Sequence, residues 1–426
     1  MPSPCRSVVP WMAVSSSLTS NGSGVFSFAS FDEESRLVRP AAEAVPLADA
    51  TPGANVLADR KALLLSADAT VNSLVLWNAT SWYTDTTKIV GEGRTLTVSS
   101  GGVFLGGTEA SGSVIGLPGD SRNGTVVLGG AERPAYVWAC GGTGGTPNQI
   151  WSEVKAPGGF VSAFTGCLLL GGDQTGIAGE IAVNAGTLVL GTDDEACVLE
   201  SGVPVRIFAN AAVRLVRADT LAGNEILFDG AAGSFGRVEL PDGLLARCAG
   251  VRVRDDPESP GWTALPDGLY TGDAGVAARL CCAFVPDLLS GEGVLCVGPS
   301  TPVPEKTWTT PVPVPHEWLD GFSEGLAGSG GDYEAFGNAA AANGENDVWQ
   351  CYVAGLDPTS PTNRFLATIE MTDGRPEVKW TPDLNEGGRK AVRVYTVEGS
   401  PTPAQGPWTA PDADSRFFRV RVALPE

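Results

Sequence analysis

The sequence predicts an all-β chain: a parallel β-helix over most of its length, then a small module that mixes helices and strands. Short apolar strands bounded by glycine recur through the first 300 residues. The 55 glycines and 31 prolines favour many turns and short strands. A Pro-rich stretch at 299–315 then separates this region from one with a different sequence pattern, in which helical spacing precedes strands.

The recurring strand is the main basis for the predicted fold. Four copies begin at residues 101, 124, 166 and 186, in steps of 23, 42 and 20 residues, which fit one or two units of about 21. Their sequences are GGVFLGG, GTVVLGG, GCLLLGG and GTLVLGT, and a worn copy, GVLCVGP, occupies 293–299. Alternating apolar residues bury one face of each strand, so stacking of successive units gives a continuous core.

An antiparallel sandwich is the alternative fold. It would place Asn-Gly or Asp-Gly hairpins at regular intervals between the strands. Such dipeptides occur, for example at 123 and 229, but they do not fall regularly between the copies. We therefore favour the parallel β-helix.

Residues 159–191 contain two strands with the pattern Gly-x-Leu-x-Leu. Between them lie a turn glycine and a short strand that contains a valine, and this order is that of a known repeat. The matching residues are Gly166, Leu168, Leu170, Gly179, Val183, Gly186, Leu188 and Leu190. They resemble the autotransporter-associated β-strand repeat of bacterial passenger domains, although Asp173 and Ile177 stand where that family has Asn and Tyr. The resemblance covers about residues 60–300 with fading strength. It implies a right-handed β-helix stalk in a large secreted or surface protein.

The chain divides into four parts by composition and sequence pattern. We expect irregular structure or N-terminal strands over 1–59, the β-helix over 60–298, a Pro-rich linker over 299–315 and a C-terminal module over 316–426. The first 20 residues are a poor secretion signal, so we expect this start to lie inside a longer protein. No C-terminal run of alternating amphipathic strands suits a translocating barrel, so we expect the resemblance to cover the passenger half alone.

The charge restricts the partners. A formal net charge of −21, from 49 acidic and 28 basic residues, argues against nucleic acid and anionic membrane surfaces. No apolar run reaches about 18 residues, so no membrane span is predicted. We expect an extracellular or outer-surface location, with surface glycans or a host or neighbouring cell surface as partners.

Histidine and cysteine usage narrows the chemistry. His316 is the only histidine, which excludes a multi-histidine metal site within this chain. Its place after the Pro-rich stretch indicates an exposed residue before a helix rather than a member of a triad. The nine cysteines form no Cys-x-x-Cys pair, and we expect small buried apolar side chains.

Two charged clusters are the candidates for catalysis, since paired carboxylates serve glycoside hydrolysis. They are Asp193, Asp194 and Glu195 in one turn, and Arg252, Arg254, Asp255 and Asp256 in another. Neighbouring residues of a strand point to opposite faces, so we interpret both clusters as solvated turns and assign no catalytic residue.

Tryptophans suggest a binding surface and a second core. Four lie in the predicted β-helix, where they would stack on sugar rings from a flat face or else cap ends and loops: Trp77, Trp82, Trp138 and Trp151. Four more are expected to form the small core of the C-terminal module: Trp318, Trp349, Trp380 and Trp408.

The C-terminal region carries Trp-x-x-Tyr-x-x-Gly-x-Asp-Pro at 349–358 and Phe-Phe-Arg-Val at 417–420. This resembles a module of large exported proteins from Kiritimatiella- and Verrucomicrobia-like bacteria, and its position implies a sorting or cap role. Helical spacing runs through 316–330 and 332–356, and Gly355 with the following proline ends the second helix. Strands are predicted over 365–371, 376–382, 391–399 and 416–425.

Asp347 and Asp357 are weak candidates for calcium ligands, with further oxygen donors at 343, 345 and 346. The Asp-x-Asp-x-Asp density of a calcium loop is missing, so a structural turn is the favoured interpretation. No other cofactor is predicted.

We predict a non-enzymatic passenger or stalk, secreted or displayed at the outer surface, with an adhesive or architectural role. The alternative is a carbohydrate-binding or polysaccharide-cleaving β-helix protein. A carboxylate cluster on one stacked face would favour that alternative.

Overall fold

The computed structural model describes residues 8–15, 26–32, 37–40, 51–59, 65, 67–78, 93–107, 112–116, 123–141, 147–231, 233–254, 256, 261–280, 282–299, 301, 306–372, 375–382, 394–400, 408, 410–411, 415 and 417–423. The described chain is built mostly of strands, with short helices between some of them. It separates into two compact units, Met1–Pro302 and Val303–Glu426, and the division falls inside the Pro-rich stretch.

The first unit holds the long run of strands. Its first half comprises β1 (Val8–Ser15), β2 (Phe26–Asp32), β3 (Leu37–Pro40), β4 (Asn55–Asp59), β5 (Ala69–Asn78), β6 (Thr95–Gly107), β7 (Val114–Ile115), β8 (Thr125–Leu128), β9 (Ala135–Cys140), β10 (Asn148–Ile150), β11 (Glu153–Lys155), β12 (Phe160–Ala163), β13 (Cys167–Leu170) and β14 (Gly172–Gln174). Its second half comprises β15 (Ile181–Val183), β16 (Gly186–Leu190), β17 (Cys197–Leu199), β18 (Val205–Phe208), β19 (Ala211–Leu215), β20 (Leu221–Asp229), β21 (Arg237–Glu239), β22 (Leu245–Arg254), β23 (Thr263–Ala264), β24 (Gly268–Thr271), α1 (Ala274–Leu280), β25 (Ala283–Phe284), β26 (Leu289–Ser290) and β27 (Val294–Val297).

Two large sheets organise this unit. One has seven strands in the order β26-β21-β19-β16-β13-β10-β7, and all its neighbours are parallel. The other has fifteen strands, and its central run β9-β12-β15-β18-β20-β22 is likewise parallel. Between β9 and β22 the chain returns to each sheet after 20 to 25 residues. We call each such passage of the chain a rung.

The main core is a cluster of side chains shared by both sheets. From the seven-stranded sheet, Leu168 stacks in register on Leu188, and Leu188 on Val213, all fully buried. Phe160 and Phe228 come from the larger sheet and are equally buried. Successive residues of a strand point to opposite faces, so every second residue faces inward. Because these rungs stack in register, the inward residues form a continuous column.

The five glycine-bounded copies all form strands, within β6, β8, β13, β16 and β27. They do not all share one sheet: β13 and β16 belong to the seven-stranded sheet and the other three to the larger one. The same alternating pattern serves both sheets because each buries one face against the same core. The predicted all-β class with parallel sheets is confirmed.

Polar side chains at rung corners replace missing strand pairing. The Gln174 side chain is fully buried, and its Nε2 donates to the carbonyls of Ser152 and Gly171 at 3.1 and 2.7 Å. Its Oε1 accepts the backbone N–H of Val154 at 3.2 Å. One side chain thus satisfies three main-chain groups from two neighbouring rungs.

We expect Gln174→Ala to lower the free energy of unfolding by about 1–3 kcal/mol, since it leaves a buried N–H and two carbonyls unsatisfied. Urea unfolding followed by circular dichroism measures the change. Asp173→Ala, at the exposed neighbouring position, is the matched control and should cost less than about 1 kcal/mol. Equal losses in the two variants would refute this role of Gln174.

The second unit combines short helices with two hairpins. Its elements are α2 (His316–Asp320), α3 (Ser323–Gly328), α4 (Tyr333–Gly337), α5 (Val348–Ala354), β28 (Leu366–Thr372), β29 (Arg375–Thr381), β30 (Val394–Ser400) and β31 (Phe417–Ala423). β28 pairs with β29 and β30 with β31, both antiparallel. The helices close on a core around Val314, Leu319, Phe336 and Val348.

The helix predicted over 332–356 is wrong in its middle. Residues 338–347 are not helical, because the Asn343 side chain organises a turn: its Oδ1 accepts the N–H groups of Glu345 and Asn346 at 3.0 and 3.1 Å. Gly344 follows with φ +68°. The predicted helix end is confirmed, since Gly355 takes the left-handed conformation directly after α5.

Residues 306–315 of the predicted linker pack into the second unit. Thr307 donates its N–H to the carbonyl of Val314 at 2.8 Å, and both residues are fully buried. The Glu334 carboxylate accepts the N–H groups of Trp308 and Thr309 at 2.5 and 2.8 Å. These contacts fold the segment back on α4 instead of leaving it extended.

Candidate functional site

The residues that carry the repeat resemblance lie together in two adjacent rungs. Leu168, Leu170, Val183, Leu188 and Leu190 are all fully buried in the shared core. Gly166, Gly179 and Gly186 stand where one rung passes directly over the next. The pattern therefore describes stacking positions, and its residues present no reactive group.

The turn at 193–195 does not bring its three carboxylates to one point. Asp193 and Asp194 are exposed, while Glu195 is half-buried. The Arg217 guanidinium of the next rung reaches this turn but binds main-chain oxygen: Nε donates to Thr192 O at 3.1 Å and Nη2 to Asp193 O at 2.5 Å. The arginine thus braces the turn.

The two arginines of the other predicted cluster lie on the same face of β22 but bind different partners in the neighbouring rung. Arg252 pairs with Glu225 at 2.9 Å, whereas Arg254 is drawn to Asp229, a residue that the sequence did not single out as a site. Asp255 lies outside the described residues, and Asp256 is exposed.

Asp229 is the centre of a buried ion cluster. Its side chain is 2% exposed and lies between two arginines, one from each neighbouring rung. Arg254 donates from Nε to Oδ1 at 2.8 Å and from Nη2 to Oδ2 at 2.5 Å. Arg206 donates from Nε to Oδ2 at 2.8 Å, and its Nη2 also contacts Oδ2. The Trp262 ring lies 5.6 and 5.0 Å from the two guanidiniums.

These contacts set the charge state of Asp229. Burial alone would raise the pKa of this carboxyl, but the hydrogen bonds from Arg254 and Arg206 and their positive charge outweigh it and leave the pKa lowered. The carboxylate is therefore charged in the folded protein. One carboxylate facing two guanidiniums is suited to joining three rungs, and it is not an available proton acceptor.

The lowered pKa predicts an acid-sensitive contribution to stability. A carboxyl with a lower pKa in the folded than in the unfolded chain stabilises the fold above the unfolded value of about 3.9, and this stability is lost as pH falls through the folded pKa. The urea midpoint should therefore fall more between about pH 5 and pH 3 in the wild type than in Asp229→Asn. Parallel pH profiles for the two proteins would contradict this assignment.

The predicted aromatic face is not formed by the tryptophans that the structure describes. Trp151 is buried, and its Nε1 donates to Gln149 Oε1 at 2.7 Å. Trp138 is half-buried, and its ring centroid lies 6.0 Å from that of Phe164. Trp82 and the side chain of Trp77 lie outside the described residues.

The tryptophans of the second unit do not form one core. Trp318 and Trp349 pack against its helical core. Trp380 stacks on Tyr395 at 5.0 Å, and the Trp408 ring lies 4.6 Å from the Arg419 guanidinium. Trp380 thus joins the two hairpins, while Trp408 contacts a strand of the hairpin to which it belongs.

The candidate calcium ligands are used in local turns. Asp347 precedes α5, and its N–H donates to Gln350 Oε1 at 2.8 Å, as in a capping box. Asp357 Oδ1 accepts the N–H and hydroxyl of Thr359 at 2.8 and 2.6 Å, and these bonds lower the pKa of the carboxyl. Among the described residues, no three His, Cys, Asp or Glu side chains form a group that could hold a metal ion. Calcium binding stays a prediction.

The described cysteines form no disulfide. Four are buried: Cys197, Cys248, Cys296 and Cys351. Burial raises the pKa of the Cys248 thiol to about 12 and that of Cys351 to about 11. These thiols are protonated at neutral pH and behave as small apolar side chains.

An open groove lies beside β17. Its volume is about 490 Å³, and its walls are formed by β17 and by residues 216–224 of the next rung. Cys197 and Leu199 contribute buried apolar surface, while Val198 is half exposed. The groove combines a concave shape with apolar side chains, and we therefore take it as the candidate site for a ligand.

No known protein family, curated protein or solved structure matches the chain. The kinship to the autotransporter-associated repeat therefore stays a prediction based on the residues quoted above. No described helix is both long and apolar enough to span a bilayer.

Asp229 is not predicted as a site from the sequence, because the dipeptide Asp229-Gly230 indicates only a turn. A usable signal exists: Arg206, Asp229 and Arg254 are separated by 23 and 25 residues, which is one rung each. Opposite charges that recur at the rung spacing are expected to be neighbours across parallel strands. The groove has no such signal in the sequence, since it arises where strand pairing between two rungs is interrupted.

Proposed function

We propose that residues 60–298 form a right-handed parallel β-helix and that the chain serves as a non-enzymatic stalk or passenger, secreted or displayed at the cell surface. The observation that carries the proposal is the stacking of successive rungs, in parallel and in register, on one apolar core. Such stacking gives an elongating scaffold whose length grows with rung number.

The use of charge supports a structural role. Ion pairs run from rung to rung on the outer faces, as in Arg214 with Glu239 at 2.7 Å and Arg252 with Glu225 at 2.9 Å. Asp229 extends the same arrangement over three rungs. These charged side chains bind one another across the stack, which favours an architectural function over catalysis.

Protease shaving of intact producing cells tests the surface location. An added protease should remove the signal of an antibody against residues 316–426, without release of a cytosolic marker protein. Protection of the chain in intact cells, with recovery beside the cytosolic marker after lysis, would refute the proposal.

The C-terminal module, in this proposal, sorts or caps the stalk. Cells that produce residues 1–302 alone, the first compact unit, should retain that chain internally if the module sorts it. Normal surface display of the shortened chain, with a lower melting temperature, would assign the module a capping role. Normal display and normal stability together would refute both roles.

A further inference from the structure

Hydrogen bonding between the β17 rung and the next rung is interrupted along β17. Before the strand, the Arg217 side chain binds the carbonyls at 192 and 193. After the strand, Asn224 Nδ2 donates to Glu200 O at 2.7 Å, and the N–H of Gly202 donates to Gly223 O at 2.8 Å. The rungs are thus tied at both ends of β17 and separate between them, which creates the groove.

The hydrogen bonding is interrupted because of the conformation of the next rung. β14 and β17 form a parallel pair of their own, and among the described strands none adds to the other edge of β17. The following rung passes this place as a bend and turn over 217–220, closed by the N–H of Ala222, which donates to Asp219 O. A turn cannot supply the regular row of donors and acceptors that a strand edge requires.

The edge of β17 offers main-chain hydrogen bonds to the groove. In a parallel pair, alternate residues direct their N–H and C=O to opposite sides. Ala196 O accepts the N–H of Gly172 at 2.9 Å, so residues 196 and 198 face β14. Cys197 and Leu199 therefore direct their N–H and C=O groups away from β14 and towards the groove.

The charge around the groove is acidic. Asp219 lines it and is exposed, and the exposed residues Asp194 and Glu200 flank β17. Asp173 lies directly opposite Val198 on β14 and is also exposed. The one cation in the lining, Arg217, already donates to two carbonyls of the 192–193 turn. The surroundings thus attract a cationic ligand.

We propose that this groove is a binding site for a basic peptide in extended conformation, which adds as a strand to the free edge of β17. The main-chain groups of Cys197 and Leu199 supply the pairing, Val198 an apolar contact, and Asp219 the partner for a lysine or arginine of the peptide. Addition of a strand to an exposed edge obtains affinity from main-chain hydrogen bonds and specificity from alternate side chains.

The first test is peptide binding measured by fluorescence anisotropy. The probe is a labelled seven-residue peptide in which valine alternates with lysine and threonine. The same peptide methylated on alternate backbone nitrogens, and a version with glutamate for lysine, are the control ligands. The basic peptide should bind, and both controls should lose affinity by about tenfold or more, since one removes strand pairing and the other reverses the charge.

Matched variants locate the site. Asp219→Lys and Val198→Lys change exposed side chains and should each weaken binding by about tenfold, while Asp287→Lys makes the same charge change at an exposed position outside the groove and should bind nearly as the wild type. Hydrogen exchange should slow at the amides of Cys197 and Leu199 when the peptide is bound.

Four outcomes would overturn the proposal. They are absence of binding, equal binding of the backbone-methylated peptide, equal weakening by Asp219→Lys and Asp287→Lys, and unchanged exchange at the two amides. Binding of neutral oligosaccharides in the groove with no binding of the peptide would also overturn it and identify a sugar site.

Discussion

Replacement of Asp229 by alanine is expected to destabilise the first unit by about 3 kcal/mol. The variant removes the carboxylate that Arg206 and Arg254 share, which leaves Arg254 without its ion-pair partner and Arg206 with only Glu180, 3.6 Å away. Loss of one partner from a buried ion pair costs about 3–5 kcal/mol because the remaining charge is uncompensated. Here the arginine side chains are 23% and 18% exposed, so they can turn partly to water, which favours the lower end of that range.

Urea unfolding monitored by circular dichroism measures this loss, and Glu239→Ala is the matched control. Glu239 makes the same kind of rung-to-rung pair, with Arg214, but its side chain is 32% exposed and that of Arg214 is 50% exposed. Its removal should cost less than about 1 kcal/mol, as for exposed ion pairs generally. A loss below 1 kcal/mol in Asp229→Ala would show that the arginines are hydrated in the folded protein and that the cluster does not join the rungs.

A double variant that also removes one of the two arginines can be compared with Asp229→Ala. The double variant Asp229→Ala with Arg254→Met removes one of the two opposed cations, and Met offers an apolar stem of similar length. Buried ion clusters replaced by apolar side chains often regain stability. We expect the double variant to be more stable than Asp229→Ala alone, because it removes the arginine whose ion-pair partner has been lost.

The sequence predicts the interior of the first unit well and its exterior poorly. The column through Leu168 and Leu188 follows from alternation, because burial of one strand face is a local property that each repeat copy displays. The pairing of Asp229 depends on which residues of three distant segments come into register. That register is fixed by the lengths of the intervening turns, which alternation does not encode.

The second unit shows the complementary limit. The strands of its two hairpins lie within a few residues of the predicted strands, since β-branched and aromatic residues are frequent there. The predicted helix through 338–347 fails because the apolar spacing of its alanines is overridden by the side-chain turn at Asn343. The groove beside β17 lay beyond prediction for another reason: it depends on the absence of pairing between two rungs.

Gly186→Ala is expected to be the second severe substitution, with a loss of roughly 2–5 kcal/mol. Gly186 has φ +71°, a conformation that costs a residue with a Cβ about 1–2 kcal/mol. A Cβ here would also lie 2.3 Å from the carbonyl oxygen of Gly166 and 2.5 Å from that of Phe164, both in the preceding rung. Since both contacts are to backbone, the rungs themselves must move apart to accept the methyl group.

Gly202→Ala separates the two contributions. Gly202 has a similar conformation, φ +85°, but a Cβ at this position meets nothing within 4 Å. This variant should lose only about 1–2 kcal/mol, the cost of the left-handed backbone. The difference between the two urea midpoints then measures the close approach of neighbouring rungs at Gly186. Equal losses would mean that the repeat glycine is required only for its backbone angle, and that the rungs can separate at this corner without cost to the core column.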